Sequence, residues 1–234
     1  RAGELLDRAV RLGPSYVWGV HWRSMLHFSR GRYAAAVVDA RKARELDPLS
    51  PVVAYANASI LLGMDSVDAA LPFLEQAARS STPASFWLRT YGEQLARRGR
   101  VAETQDVWAQ WARGLGYPDA ERVRALWAEY PLWGRPLSPL DAWDEDETVR
   151  AWGREWRALL EDVLAGTGAH VPDLSYAWAW AGPDALLDAA EVIVEDHSIW
   201  SVFLNQGALY RPLADEPRYQ ALLRRVGLPP PEGL

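Results

Sequence analysis

A spacing of 34 residues constrains this chain more than any other feature. Ala9, Ala43 and Ala77 stand one period apart, as do Pro14 and Pro48, Ala36 and Ala70, and the small residues Ser24, Ala58 and Gly92; Gly31 and Gly99 are two periods apart. Small side chains recurring at that distance mark places where successive antiparallel helices nest against each other. Gly31 permits a tight turn between two helices, Ala36 and Ala43 let neighbours approach, and Pro48 cannot continue the helix it follows. The pattern predicts an all-α chain built from stacked helix pairs.

The units can be read in order along the chain. Residues 5–12 are apolar on one helical face and stop at Gly13-Pro14, as the second helix of a pair would. Because the chain opens mid-pair and without Met, it is expected to be part of a longer protein. Full units follow at about 16–48, 51–82 and 85–116; in the first, one helix ends near Arg30 and the next spans 33–46. In the third, Thr104, Trp108 and Trp111 replace smaller residues, and such bulk is expected where the array widens or ends. From 117 to 175 the period fails and Pro118, Pro131, Pro136 and Pro139 punctuate the chain, with a short helix expected at 119–129. A clearer helix carries Val149, Trp152, Trp156, Leu159, Leu160, Val163 and Leu164 on one face and closes at Gly166. Beyond it come a short helix with Tyr176, Trp178 and Trp180, a turn at Gly182-Pro183 and a helix over 184–195. The expected organisation is an array over 1–116 of about three and a half helix pairs, an irregular helical insertion over 117–175, and a degenerate hairpin with a cap over 176–234.

Two stretches resemble a known family. Gly31-Arg32-Tyr33-Ala34-Ala35-Ala36-Val37, followed by Ala40, Ala43 and Leu46-Asp47-Pro48, is similar to the tetratricopeptide (TPR) consensus. The closing segment, with Pro212-Leu213, Asp215-Glu216-Pro217-Arg218-Tyr219 and Gly227-Leu228-Pro229, resembles the end of bacterial multidomain regulators whose tetratricopeptide repeats follow a kinase, nucleotide-cyclase, winged-helix or TolB-like domain. It carries one residue more than the Asp-Pro-Arg of those relatives. The resemblance covers 1–116 and 176–229 and leaves the middle uncovered. It implies a right-handed α–α superhelix, or solenoid, capped by Tyr219, Leu222, Leu223 and Val226, and a role in protein recognition or regulatory scaffolding. No catalytic residue is carried over, since the enzymatic domains of such proteins precede the repeats.

Charge and motifs narrow the function further. A net charge of -6 and a pI near 5.3 disfavour nucleic acid and anionic membranes, which call for clustered basic residues. With no Cys, thiol chemistry and disulfides are excluded. No run approaches the ~18 apolar residues of a membrane span, and no signal-peptide pattern opens the chain. A cytoplasmic setting is expected, or a periplasmic one if a membrane span precedes this segment. His21, His27, His170 and His197 are scattered without metal-ligand spacing. Asp141, Asp144, Glu145, Asp146 and Glu147 lack the glycine turn of a calcium loop, and Asp144 with Glu147 fits a helix start. Trp127, Trp133, Trp143, Trp152, Trp156, Trp178 and Trp180 are read as packing rather than as a sugar platform. No phosphate-binding loop or nucleophile motif occurs, so neither catalysis, nor a cofactor, nor a metal is expected.

The candidate binding surface is the inner face lined by the first helix of each pair. It carries Trp18, His21, Trp22 and Met25, then Val52, Tyr55 and Ser59, then Phe86, Arg89, Glu93 and Arg97. Of these, Trp18, His21, Trp22, Tyr55, Phe86, Arg89 and Arg97 are the candidate contacts for a protein or peptide partner, with aromatics as anchors and an arginine for a carboxylate. His21, Met25, Ala56, Phe86 and Thr90 stand where a chaperone-tail carboxylate clamp would need Lys, Arg and Asn, so that ligand is not expected. The alternative reading is a small-molecule sensor with an aromatic pocket between the array and the 117–175 segment, coupled to an upstream effector domain.

Overall fold

The computed structural model describes residues 2–80, 86–131, 133, 147–167, 182–197, 201, 204–205, 210 and 213–229, with side chains at all of these except 80, 86 and 163–167. Among them are eleven helices and no strand: α1 (Ala2–Leu12), α2 (Val17–Ser29), α3 (Tyr33–Leu46), α4 (Pro51–Gly63), α5 (Val67–Ser80), α6 (Phe86–Ala96), α7 (Val101–Gly114), α8 (Ala120–Ala128), α9 (Glu147–Thr167), α10 (Pro183–Glu195) and α11 (Pro217–Val226). The chain is all-α. Helices α2 and α3, α4 and α5, and α6 and α7 pack as pairs, α3 leads onto α4 and α5 onto α6, and α2 also touches α4.

The period is written into the backbone. Helices α3, α5 and α7 begin at Tyr33, Val67 and Val101 and end at Leu46, Ser80 and Gly114, each one period from the last. Before each, one residue adopts a left-handed conformation: Gly31 at φ 69°, Asp65 at 54° and Gly99 at 67°. The next N–H closes back onto the preceding helix, Arg32 to the carbonyl of His27 at 2.9 Å, Ser66 to Leu61 at 2.8 Å and Arg100 to Leu95 at 3.1 Å. This is the left-handed helix ending that satisfies otherwise orphaned carbonyls. Asp65 fills the glycine position of the middle unit, since aspartate tolerates that conformation better than most residues with a Cβ.

Packing between the helices of each pair follows a compensated series. Ser24, Ala58 and Gly92 are buried at equivalent places in α2, α4 and α6 and shrink along the chain. Ala40, Leu74 and Trp108, equivalent in α3, α5 and α7, are buried and grow. The contact is direct in the last pair: a Cβ on Gly92 would lie 2.9 Å from Trp108 Nε1. The bulk that the sequence presents at Trp108 is therefore absorbed by the glycine opposite it, and the interior stays close-packed.

Beyond α7 the core is aromatic. Trp108 stacks on Trp127 at 4.9 Å and 11° and meets Trp156 edge-on at 4.9 Å, while Trp152 lies edge-on to Trp127 at 5.1 Å. Val149, Trp152, Trp156, Leu159 and Leu160 form the buried face of α9, as their spacing predicts. Asp119 caps α8 by accepting from the Arg122 N–H at 3.1 Å. Helix α11 starts with Pro217 behind Glu216 and ends at left-handed Gly227. Its Tyr219, Leu222 and Leu223 are buried against Leu186, Leu187, Ala190 and Val194 of α10, and Tyr219 donates to the Leu204 carbonyl at 2.7 Å. Trp143, Asp144, His170, Tyr176, Trp178 and Trp180, and the side chains of Val163 and Leu164, lie outside what is described.

Among the described residues, Asn205 links the end of α2 to the residues after α11. The buried Asn205 amide donates to the carbonyl of Ser29, at the end of α2, and to that of Pro229, both at 3.1 Å.

Candidate functional site

Helices α2, α4 and α6 bring the predicted inner positions into rows. His21, Tyr55 and Arg89 occupy equivalent places one period apart, as do Met25, Ser59 and Glu93, and Trp18, Val52 and Phe86. Along a helix, Trp18, His21, Trp22 and Met25, like Arg89, Glu93 and Arg97, recur at three- or four-residue steps and share a face.

These rows are only partly open. In α2, Trp18 and Trp22 are 38% and 41% exposed, whereas His21 between them is buried, edge-on to both rings at 5.5 and 5.0 Å. Burial favours the neutral imidazole and lowers the His21 pKa to about 4. His21 Nδ1 is buried and has no hydrogen-bond partner among the described residues. In α4, Tyr55 is half-buried, stacks on Trp87 at 6.0 Å and shares a 3.4 Å hydrogen bond with the Thr90 hydroxyl, so it serves the contact between α4 and α6.

In α6, Arg89 and Glu93 are both buried. Glu93, 4% exposed, leaves Oε1 without a hydrogen bond among the described residues, and burial pushes its pKa up to about 8 although Arg89 and Arg97 pull the other way. Arg97 is half-buried; it approaches Asp65 at 3.6 Å and donates to the Gln94 side chain at 3.1 Å. The Phe86 side chain lies outside the described residues. The structure thus places two of the seven predicted contacts, Trp18 and Trp22, at the surface, and buries or half-buries four, His21, Tyr55, Arg89 and Arg97.

Other polar features carry structure. Arg23 of α2 grips Asp39 of α3 through Nε and Nη2, at 2.7 and 2.8 Å, and extends Nη1 to Asp7 of α1 at 3.3 Å. Asn57 of α4 donates to the carbonyls of Ala40 and Val53. The sequence reading missed both. The signal was an acid and an amide on faces otherwise composed of small apolar residues. A cleft of about 340 Å³ between α8 and α9 is lined by Arg122, Leu126, Glu129, Glu155 and Leu159, none of them an inner-row residue. Among the described residues no three His, Asp or Glu side chains are grouped as metal ligands, and no helix is long and apolar enough to cross a membrane.

Comparison with protein-family models finds no match. Comparison with curated proteins finds none either.

Proposed function

We propose that this chain is a tetratricopeptide-type helical repeat module, a right-handed superhelix over its first seven helices, that recognises a protein or peptide partner and performs no chemistry of its own. The recurrence of the left-handed turn at Gly31, Asp65 and Gly99, one helix-pair period apart, supports the repeat reading. One observation carries the binding reading. Trp18 and Trp22 stand one turn apart and expose part of each indole, while the ring between them is buried and held edge-on. Large aromatic groups that are rigidly supported and still reachable are the side chains that anchor partners. Among the described inner-row side chains, the most exposed are Trp18 and Trp22 at the α2 end, while Arg89 and Glu93 are buried.

Selection of a displayed random-peptide library on the immobilised chain tests this, followed by calorimetric titration of the enriched peptides. Binding is expected to weaken about tenfold or more in the Trp18→Ala/Trp22→Ala variant, the loss that removal of an aromatic anchor brings. A library that yields no binding peptide, or peptides whose affinity ignores both substitutions, refutes the reading.

A further inference from the structure

The cleft between α8 and α9 is polarised along its length. The two helices run antiparallel beside it: Arg122, early in α8, meets Asp162 in the second half of α9 at 3.0 Å, while Tyr130, just past the end of α8, lies edge-on to Trp152 in the first half of α9 at 5.0 Å. Glu129 comes seven residues after Arg122, and Glu155 seven before Asp162. Seven residues make two helical turns, about 10 Å of rise. The register that pairs Arg122 with Asp162 therefore sets Glu129 across from Glu155 at the other end.

The two ends differ in charge. At one, Arg122 is neutralised by Asp162, which also accepts from the Tyr117 hydroxyl at 2.9 Å. At the other, both carboxylates are exposed, and neither side chain makes a hydrogen bond or ion pair among the described residues. Glu129 also ends α8, where the helix dipole adds negative potential. Beneath them the cleft is apolar, lined by buried Leu159, half-buried Leu126 and the small Ala125 and Ala158. Two like charges brought together over such a surface are relieved by a cation between them.

We propose that this end of the cleft is a second recognition site, which takes an arginine side chain from a basic segment of a protein partner. The chemistry selects that occupant. A guanidinium presents N–H donors in a fixed fork and can bond a carboxylate on each helix at once. Its weakly hydrated plane and alkyl stem suit an apolar floor better than a compact ammonium does. A volume of about 340 Å³ is small for a ligand pocket and suits one long side chain. The chain's net charge of -6 favours the approach of a basic segment. None of these residues belongs to the inner rows, so the site stands apart from the indoles of α2.

Titration of the chain with the blocked pentapeptide Ala-Ala-Arg-Ala-Ala, followed by NMR of the indole N–H signals, tests this. The Trp152 indole donates to the Leu126 carbonyl in the cleft at 2.9 Å, so its signal should shift while those of Trp18 and Trp22 stay still. The same peptide with citrulline for arginine keeps the shape without the charge and should bind about tenfold more weakly; so should the arginine peptide on Glu129→Gln/Glu155→Gln. Both glutamates are exposed, so that variant's helicity and melting temperature should match the parent's. Glu155→Arg supplies a guanidinium from within and should abolish binding. An unmoved Trp152 signal overturns the proposal, as does equal binding of the citrulline peptide or equal binding by the double glutamine variant. Shifts confined to Trp18 and Trp22 overturn it too, since they would place basic peptides on the inner face.

Discussion

Helices α2 to α7 and helices α8 to α11 solve the same problem, burying apolar faces of helices, by different means. In the first group the backbone repeats, with a left-handed residue at the same position and the same closing hydrogen bond in each unit, and side-chain sizes vary in a compensating series. In the second, indoles of α8 and α9 interlock around Trp127 together with Trp108 of α7. The difference teaches that regularity here resides in turns and small residues. Volume is negotiated contact by contact. Gly92 with Trp108 is where the two modes join, since Trp108 belongs to the last regular pair and to the aromatic core.

The sharpest way to break the comparison is at that joint. Trp108→Ala should cost about 4 kcal/mol in chemical denaturation, against about 3 for its repeat counterpart Leu74→Ala. Equal losses would deny the aromatic core its weight.

A second test concerns polarity inside the array. The folded chain holds a proton on Glu93 up to about pH 8, whereas the unfolded chain loses it near 4.5, so stability falls as pH rises through that window. His21 acts in the other direction: its folded pKa of about 4 lies below the ordinary 6.5, so stability falls as pH drops from 6.5 toward 4. The two slopes oppose each other between about 4.5 and 6.5, and Glu93 alone acts above. Glu93→Gln should therefore raise stability at pH 8 by on the order of 3 kcal/mol and leave a flat profile from 6.5 to 8. Melting curves across that range check it, and an unchanged downward slope would assign the effect elsewhere.

Gly92→Ala should cost about 2 kcal/mol by overpacking. Combined with Trp108→Leu, which restores the Ala58 with Leu74 pairing of the preceding unit, it should cost about 1 kcal/mol less than the sum of the single changes. Additive losses would mean the size series is coincidental. The smallest effect is expected at the turns. Asp65→Gly should stabilise the chain by about 1 kcal/mol by relieving a left-handed residue that has a Cβ, while Gly31→Ala should destabilise it by a similar amount.

Legibility follows the same division. The helix pairs could be read because Gly31 and Gly99 answer to local backbone geometry, and the face of α9 because Trp152, Trp156 and Leu159 keep helical spacing. Asp65 hid its turn because its side chain does not announce a left-handed residue. Trp108 read as a disturbance because its accommodation depends on a glycine in another helix. At the candidate site the rows themselves were legible, as helix phase places His21, Tyr55 and Arg89 alike. Their exposure was not, because it depends on what the rest of the chain lays against them. Nothing near Asn205 in sequence marks it as a neighbour of Ser29.

That amide has a consequence for how the molecule comes apart. In a row of helix pairs bonded only to their neighbours, outermost pairs can peel away first and fluctuate independently of the rest. Asn205 grips the end of α2 and the residue following α11's turn at once. Freeing the end of α2 must then break a buried contact shared with the residues that follow α11, so those two stretches should exchange their amide hydrogens in step.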